Sequence, residues 1–310
     1  MKILFMGTPD FAVFSLSSLI DSNHKVAAVV TQPDKPKGRG YHLLPPPVKV
    51  YAEEKGIPVY QPMSLKGEEF ESLLRDIAPD VIVVVAYGKI LPKNVLDYPR
   101  FGCINVHGSL LPEYRGAAPM QRAIIDGKKF TGITTMYMAD GIDTGDMLLK
   151  SEIRIEDNDN FEDIHDKLGL CGAELIVKTL DALEKDGIER IPQDEAQATY
   201  AAKITKEDCL IDFSLSARRV HDLIRGLSPI PLALTHTPDG KLLKIWKAET
   251  SSLSASGKNF GEVISLDDGI HVACGDGSVK LLGVLPEGKS KMSASDYIRG
   301  RKLNIGDILK

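Results

Sequence analysis

The run Val81-Ile82-Val83-Val84-Val85-Ala86 is the sequence feature that most constrains the fold. Asp80 and Gly88 bound it, and six apolar residues suit one strand better than a helix. Apolar and polar residues do not alternate within the run, which is typical of a strand that is buried on both faces. Strands of this kind belong to parallel sheets that helices cover on both sides, so the run predicts an α/β domain.

The segments on either side of this run alternate between the two types of secondary structure, as a parallel sheet requires. The further predicted strands are Ile3 to Met6, Lys25 to Thr31, Val59-Tyr60 and Gly102 to His107, and the predicted helices are Phe11 to Ile20, Val48 to Lys55 and Phe70 to Ile77. This alternation predicts a doubly wound, mostly parallel sheet. Ligands bind beyond the carboxyl ends of strands in such sheets, where Gly7, Tyr87 and His107 are expected.

The second half of the chain has a different pattern. Asp239-Gly240, Asp268-Gly269 and Asp276-Gly277 are turn signals. They separate the short predicted strands Leu242 to Trp246, Glu262 to Leu266, Ile270 to Ala273 and Val279 to Val284. This spacing predicts a small antiparallel barrel or sandwich. Because 310 residues exceed the usual size of one core, we expect two domains, 1–190 and 207–310, with a linker over 191–206.

Composition narrows the class of protein. The net charge of −5 disfavours a uniformly basic nucleic-acid binder, although residues 206–310 contain fifteen Lys and Arg against thirteen Asp and Glu. No apolar run approaches the roughly 20 residues that span a bilayer, and the first residues read as a strand rather than a signal peptide. Four dispersed cysteines favour reduced thiols. We therefore expect a cytoplasmic monomer with no membrane contact and, from the scattered histidines, no metal site.

An amide and an imidazole stand two residues apart at the end of the last predicted strand. Asn105 and His107 share one face if the backbone is extended, and Gly108-Ser109 follows them. An acidic loop comes about thirty residues later, and Asp143 lies in it between two glycines that permit a tight turn. A carboxylate from that loop would orient and charge the imidazole. Together these groups would stabilise an oxyanion and manage a proton during acyl transfer.

Other readings of the neighbouring residues remain open. Asp140 and Asp146 compete with Asp143 for the role of partner. Cys103 lies on the same strand and is conceivable as a nucleophile, although a packed small side chain is the favoured interpretation. The turn Gly7-Thr8-Pro9-Asp10 lacks the glycine fingerprint of a dinucleotide site, which favours an ordinary strand-to-helix turn over a pyrophosphate cradle.

A basic segment follows the second predicted strand. Gln32 to Gly40 carries Lys35, Lys37 and Arg39 with a single acid, and its Pro and Gly residues cannot build a core. It is interpreted either as a solvated flexible loop or as an arm that contacts phosphate groups.

Four motifs resemble those of the formyltetrahydrofolate-dependent transferases, and the resemblance extends over essentially the whole chain. The segment Ser109-Leu110-Leu111-Pro112-Glu113-Tyr114-Arg115-Gly116 is similar to the signature of the wider family. Thr31-Gln32-Pro33-Asp34, Gly116-Ala117-Ala118-Pro119 and Asp212-Phe213-Ser214 resemble its tRNA-acting branch, the methionyl-tRNA formyltransferases. One departure is Ile230, where relatives often carry Trp, and it lies outside the catalytic motifs.

The resemblance implies a Rossmann-like transferase domain and a smaller C-terminal β-barrel domain of OB-fold type. It also implies the formyl donor 10-formyltetrahydrofolate and the acceptor methionyl initiator tRNA. Catalytic roles carry over to Asn105, His107 and Asp143, and a tRNA-binding role carries over to the loop with Lys35, Lys37 and Arg39. Folate binding is expected at Val85, Tyr87, Gly88, Ser109, Leu110, Leu111 and Pro112.

Three other functions remain as alternatives. A formyltransferase that acts on a purine precursor or an amino sugar would share the Asn-His-Asp group, but it would lack the basic loop or differ in its C-terminal domain. A nucleic-acid-binding protein without catalysis would leave Asn105, His107 and Asp143 unexplained. A nucleotide-dependent oxidoreductase would need the glycine fingerprint that is absent after the first strand.

Overall fold

Strands and helices alternate along the first half of the chain in the computed structural model, which describes residues 1–37, 42–300 and 303–310. The first elements are β1 (Lys2–Gly7), α1 (Asp10–Ile20), β2 (Lys25–Val30), β3 (Lys35–Lys37), β4 (His42–Leu44), α2 (Pro47–Glu54), β5 (Val59–Tyr60), α3 (Glu68–Ile77), β6 (Val81–Val85), α4 (Lys93–Leu96), β7 (Cys103–His107) and β8 (Arg115–Gly116). The strands and helices that the sequence predicts in this part are confirmed.

The second half contains both helices and strands. Its elements are α5 (Pro119–Ile125), β9 (Phe130–Tyr137), β10 (Met147–Arg154), α6 (Phe161–Glu184), β11 (Tyr200–Ala201), α7 (Ala217–Gly226), β12 (Ala233–His236), β13 (Leu242–Ser251), β14 (Val263–Ser265), β15 (Ile270–Ala273), β16 (Ser278–Pro286), β17 (Met292–Ser293) and α8 (Ala294–Arg299). The four strands predicted for this half are confirmed as parts of β13, β14, β15 and β16.

The chain divides into two compact units, and neither is continuous in sequence. Unit 1 contains residues 1–116, 131–153 and 165–200, and unit 2 contains residues 117–130, 154–164 and 201–310. Two short stretches that precede residue 165 in sequence, residues 117–130 and 154–164, therefore belong to unit 2. Apolar periodicity reports burial along a segment, and it carries no information about which core the segment joins.

Unit 1 is built on a seven-stranded sheet in the order β10-β9-β7-β6-β1-β2-β5. The pairs β5-β2, β2-β1, β1-β6 and β6-β7 are all parallel. Beyond β7 the direction reverses, because β9 pairs with β7 antiparallel. The prediction of a doubly wound, mostly parallel sheet is confirmed, and the strand that motivated it, β6, is buried at every residue.

The register of this sheet brings three strand ends to one edge. Gly7 at the end of β1 pairs with Val85 at the end of β6, and Val84 pairs with Asn105 of β7. A Cβ at Gly7 would lie 2.8 Å from the Cβ of Ala12 and 3.0 Å from the Val85 carbonyl oxygen, so the close packing of α1 on the sheet requires glycine there. The turn after β1 serves this packing, which agrees with its interpretation as an ordinary strand-to-helix connection.

Unit 2 contains a curled antiparallel sheet, a half-barrel, in the order β12-β13-β16-β15-β14, with β17 paired to β16. The helix α7 begins where the Ser216 side chain accepts a hydrogen bond from the Arg219 amide, and Val220 and Ile224 lie on its buried face. These residues pack with Ile245 and Leu281 of the sheet in one apolar core. The predicted small antiparallel domain is thus confirmed in class. None of the helices among the described residues has the length and apolarity to cross a bilayer.

Candidate active site

Asn105 and His107 project from β7, the strand at which the sheet changes from parallel to antiparallel pairing. His107 is 6% exposed and pairs across the sheet with Thr134, and Asn105 pairs with Met136. Because the two residues stand two apart in an extended strand, they lie on the same face. The strand therefore presents an amide and an imidazole side by side at the carboxyl edge of the parallel strands.

Asp143 reaches these two side chains from the loop 138–146 between β9 and β10. One carboxylate oxygen, Oδ2, lies 3.5 Å from His107 Nδ1, and the other, Oδ1, accepts a hydrogen bond from Asn105 Nδ2 at 3.4 Å. The Gly116 amide also donates to Oδ2, at 2.9 Å. Of the three loop acids named from the sequence, Asp143 is the one that these contacts bring to His107.

The backbone of the loop explains how this carboxylate reaches the strand. Asp143 adopts a positive φ of 53°, a conformation that Asp tolerates better than most residues. At Gly145, an added Cβ would lie only 1.9 Å from the Tyr137 carbonyl oxygen. The loop thus lies directly against the end of β9, and its glycine permits the approach.

The second ring nitrogen of His107 determines which tautomer is present. Nε2 lies 3.0 Å from the Tyr114 carbonyl oxygen, and a carbonyl can only accept, so Nε2 carries a proton. Nδ1 is then the nitrogen that faces Asp143. When Nδ1 is also protonated, the positive ring lies beside the carboxylate and has one N–H that can be shared with a substrate oxygen.

The segment 109–112 is held tightly under the site. Ser109 and Leu111 are buried, Ser109 Oγ donates to the Glu113 carbonyl at 2.6 Å, and Lys150 Nζ donates to the Leu111 carbonyl. The Thr134 hydroxyl donates to the Ser109 carbonyl at 2.8 Å and accepts from the Leu111 amide at 3.1 Å. Leu110 and Pro112 are half-buried. The backbone groups of Ser109 and Leu111 named here are therefore engaged within the protein, while Leu110 and Pro112 keep some exposed surface.

The other predicted folate segment follows β6. Val85 is buried, and the Tyr87 carbonyl accepts hydrogen bonds from Thr8 Oγ1 at 3.0 Å and Gln32 Nε2 at 3.1 Å. The Tyr87 ring points into the core, where burial raises the pKa of its hydroxyl to about 12. Gly88, with φ of 82°, is exposed. The surface of this segment thus comes from the exposed backbone around Gly88 and not from the Tyr87 side chain.

The basic segment is described in part. Lys35 is exposed on β3, and Arg39 and the Lys37 side chain lie outside the described residues. The single acid of the segment, Asp34, accepts hydrogen bonds from Gln61 and from Lys49. These hydrogen bonds, that of Gln61 foremost, lower the pKa of Asp34, so the acid is ionised and paired with Lys49.

Cys103 is buried at the opposite end of the strand from His107, and burial raises the pKa of its thiol to about 12. The interpretation of Cys103 as a packed side chain is confirmed, since a nucleophilic thiolate would need a lowered pKa. Among the described residues, no group of three or more His, Cys, Asp and Glu side chains is arranged to hold a metal ion.

Sequence reasoning missed three groups that build this site. They are the Tyr114 carbonyl, the Gly116 amide and Gln193, whose Nε2 donates to the Asp143 carbonyl at 2.8 Å. Tyr114 and Gly116 lie inside the motif 109–116, so the motif was the available signal. Gln193 lies in the predicted linker, which has no motif or periodicity to single it out.

Two stretches of the chain match known protein families. The family described as "Formyl transferase" matches residues 1–180, and the family "Formyl transferase, C-terminal domain" matches residues 203–302. The chain therefore belongs to the formyl transferase family, a family of group-transfer enzymes.

Within this family, the chain is similar in length and in sequence to enzymes named methionyl-tRNA formyltransferase. The methionyl-tRNA formyltransferase of Acetivibrio thermocellus is 50% identical over 312 residues, covering 100% of this chain and 99% of the relative. That of Citrifermentans bemidjiense is 48% identical over 310 residues, covering 100% of this chain and 96% of the relative.

Solved structures share the fold at much lower identity. An N-formyltransferase from Helicobacter canadensis, in complex with folinic acid and dTDP-3-aminofucose, aligns with a TM-score of 0.66 and 18% identity, covering 91% of this chain and 98% of that one. HypX from Aquifex aeolicus, in complex with tetrahydrofolic acid, aligns with a TM-score of 0.65 and 17% identity, covering 98% of this chain and 48% of that one.

Proposed function

We propose that this enzyme transfers the formyl group of 10-formyltetrahydrofolate to the α-amino group of methionyl initiator tRNA. The observation that carries the proposal is the convergence of Asn105, His107 and Asp143 at one strand end, in a chain 50% identical over its full length to a methionyl-tRNA formyltransferase. These three residues are the catalytic groups of the proposal.

The reaction develops charge in two places. The methionyl amine attacks the formyl carbon, the new C–N bond forms, and the bond from that carbon to N10 of the folate breaks. Negative charge builds on the formyl oxygen during the attack, and the amine must release a proton that finally appears on N10. The site must therefore supply hydrogen-bond donors for the oxygen and a route for the proton.

The side chains meet both requirements. Asn105 Nδ2 and protonated His107 Nδ1 lie on the same face of β7 and both donate toward the space that Asp143 borders. Their contacts with Asp143, at 3.4 and 3.5 Å, are long, so either donor can turn to a developing oxyanion with little loss. The Asp143 carboxylate balances the charge of the imidazolium and receives the amine proton through water.

The folate is placed at the same edge of the sheet in this proposal. The residues are those named from the sequence, namely Val85, Tyr87, Gly88, Ser109, Leu110, Leu111 and Pro112. Exposed backbone around Gly88 and the partly exposed Leu110 and Pro112 support contact with a ligand there. Tyr87 contributes through its main chain, because its ring lies in the core.

The tRNA is proposed to contact two regions. One is the basic loop with Lys35, Lys37 and Arg39, and the other is the C-terminal domain 207–310, joined to the catalytic domain 1–190 by residues 191–206. A polyanion requires cations spread over a wide surface, and residues 206–310 carry fifteen Lys and Arg. The proposal includes a monomeric enzyme that works in the cytoplasm, with sedimentation at several protein concentrations as the test of the monomer.

A formyl-transfer assay tests the function. Purified enzyme with 10-formyltetrahydrofolate is given methionyl initiator tRNA, the same tRNA uncharged, or a dTDP-amino sugar. Formylation of the charged tRNA alone is the expected result. Transfer to the amino sugar but not to the charged tRNA would replace the proposal with the amino-sugar alternative.

The salt dependence of tRNA binding tests the phosphate contacts. Displacement of counterions predicts that affinity falls steeply between low and physiological salt. Arg39→Ala should weaken tRNA binding and leave folate binding unchanged, with Lys66→Ala, an exposed lysine outside the loop, as the matched control. An affinity that does not change with salt would mean that these cations are only solvated.

A further inference from the structure

The segment 190–199 runs beside the site and touches it in several places. Ile191 exchanges two backbone hydrogen bonds with Met147, each of 2.9 Å, and the Arg190 guanidinium lies 3.9 Å from the centre of the Tyr137 ring. Further along, the Thr199 hydroxyl accepts from the Tyr114 amide at 2.8 Å. Arg190 thus lies against one end of the loop that carries Asp143, and two residues of the predicted linker lie against its other end and against the motif 109–116.

Gln193 occupies the centre of this segment and uses its whole amide group. Its Nε2 donates to two carbonyls of the acidic loop, those of Asp143 and Gly145, at 2.8 Å each. Its Oε1 accepts from Arg115 Nε at 2.9 Å. Two donors and one acceptor leave little freedom to turn, so the side chain fixes both the loop and the arginine.

Arg115 gives this arrangement a rigid base. Its side chain is fully buried, and its two terminal nitrogens donate to Glu195 at 2.9 and 2.8 Å, a bidentate pair. A buried guanidinium must keep its partners, since an unpaired charge away from water is costly. Arg115 therefore holds both Gln193 and Glu195 in place.

Gly116, the residue after Arg115, contacts Asp143 directly. The amide of Gly116 donates to Asp143 Oδ2 at 2.9 Å, so the backbone beside Arg115 holds the Asp143 carboxylate while Gln193 holds its carbonyl. Hydrogen bonds thus hold both the side-chain carboxylate and the main-chain carbonyl of Asp143. Its backbone has a left-handed φ of 53°, which these surroundings stabilise.

We propose that Gln193 is a positioning residue, which together with Arg115 holds the loop of Asp143 at the distance from His107 that formyl transfer requires. This inference rests on the function proposed above. Gln193 touches none of the reacting atoms and acts through the backbone of Asp143.

Two substitutions distinguish the contact of Gln193 with the loop from its contact with Arg115. Gln193→Met keeps the length of the side chain and removes every hydrogen bond. Gln193→Glu retains an acceptor for Arg115 and places an anion against the carbonyls of Asp143 and Gly145. If Gln193 serves the loop, both variants should lose about 10²-fold in kcat, the scale expected when a reacting group is displaced by about 1 Å. KM should change little.

The matched control is Gln197→Met, which alters the same residue type in the same segment. The Gln197 side chain is exposed and donates to Asp194 Oδ2 at 2.9 Å, away from the loop of Asp143, so kcat should stay at the wild-type value. A Gln193→Glu enzyme with wild-type kcat would overturn the inference, because the residue would then only be a partner for Arg115.

A double mutant tests whether the effect passes through Asp143. Residues that act as a unit are not additive, so adding Gln193→Met to Asp143→Ala should cause no further loss of kcat. Additive losses in the double mutant would mean that Gln193 acts by another route, and the inference would fail.

A measurement on the substrate-free enzyme tests the positioning role of Gln193 independently of which acceptor the enzyme formylates. The Gly116 amide donates to the Asp143 carboxylate, so the exchange rate of its proton reports whether that hydrogen bond is intact. This exchange can be followed by NMR in the substrate-free enzyme. Exchange should be at least about tenfold faster in Gln193→Met, on the scale of one hydrogen bond to a charged group, and unchanged in Gln197→Met.

Unchanged Gly116 exchange in Gln193→Met would overturn the positioning role even if the enzyme formylates tRNA. Faster exchange in an enzyme that proves to formylate another acceptor would support the positioning role and reject only the proposed acceptor.

Discussion

Asp143 in unit 1 and Asp222 in unit 2 are both shielded carboxylates, and they are held in opposite ways. Asp143 has 16% of its side chain exposed, accepts hydrogen bonds from the Gly116 amide at 2.9 Å and from Asn105 at 3.4 Å, and lies 3.5 Å from His107 Nδ1. Asp222 is 3% exposed, and it accepts hydrogen bonds from Arg225 Nε at 2.7 Å and from Arg218 Nε at 3.0 Å. One carboxylate is partly satisfied, and the other is fully engaged.

The surroundings of Asp222 explain its purpose. Its partner Arg225, also buried, donates onward to the carbonyls of Glu156 and Asp159 at 3.1 and 2.9 Å. The pair thus fastens α7 to residues 154–164, a piece of chain distant in sequence. Short contacts with two cations and burial keep Asp222 in place, whereas longer contacts leave Asp143 able to exchange partners. The length of the contacts and the burial of the side chain therefore distinguish the structural acid from the one available to a substrate.

The largest expected effect is on stability, at Asp222. Asp222→Ala leaves the buried guanidinium of Arg225 without its counterion, which should lower the free energy of unfolding by about 3–5 kcal/mol. Urea unfolding of the full chain measures it. The control is Asp157→Ala, since Asp157 pairs with Arg218 at 3.0 Å but is 84% exposed, so its loss should lower the free energy of unfolding far less. Equal losses in the two variants would contradict the comparison.

The corresponding change at the site should affect turnover and not stability. His107→Ala removes one donor to the developing oxyanion, so kcat should fall by about 10²–10³-fold. Thermal unfolding should shift far less than for Asp222→Ala. His236→Ala, on a strand of unit 2, serves as the control for loss of an imidazole. Wild-type turnover in His107→Ala would remove this residue from the mechanism.

A smaller effect is expected in acid. Burial by itself would raise the pKa of Asp222, but its hydrogen bonds and the charges of Arg225 and Arg218 outweigh burial and lower the pKa below the ordinary 3.8. Such a group binds fewer protons in the folded than in the unfolded state, so it stabilises the fold above that ordinary value. The contribution is lost as pH falls from about 4 through the lowered pKa.

Asp222→Asn tests this acid window. The difference in unfolding free energy between wild type and Asp222→Asn should be constant near neutrality and shrink below about pH 4. Urea titrations at several pH values measure the difference. A difference that stays constant down to about pH 2 would show that the charge of Asp222 does not matter.

The smallest effect is expected at Cys103, which shares β7 with Asn105 and His107. Because burial raises its pKa to about 12, a thiol reagent at neutral pH should leave Cys103 unmodified and reach the partly exposed Cys171 first. Mass spectrometry of the native protein after brief alkylation measures this order. Rapid labelling of Cys103 would mean that this strand end opens in solution.

The strands and helices predicted up to residue 107, and the four strands predicted between 242 and 284, followed from apolar patterns and turn signals, because the pattern of apolar residues records which face of a segment is buried. No element was predicted for residues 108–238, where β9, β10 and α6 lie. Asn105 and His107 could be paired for the same reason, since two residues of one strand share a face whatever surrounds them. For the third group, the flanking glycines and the family resemblance favoured Asp143, while Asp140 and Asp146 remained alternatives.

The sequence by itself therefore determined most local elements outside residues 108–238, the class of each half and the two candidate site residues on β7. Only the tertiary structure decided which loop acid meets them, that Gln193 holds that acid across 50 residues, and that Arg115 holds Gln193 across 78. It also decided that residues 154–164 join the second core. The burial of a segment is recorded in the spacing of its own apolar residues. A hydrogen bond between distant residues forms only after the chain has folded, and it produces no periodic pattern in the sequence.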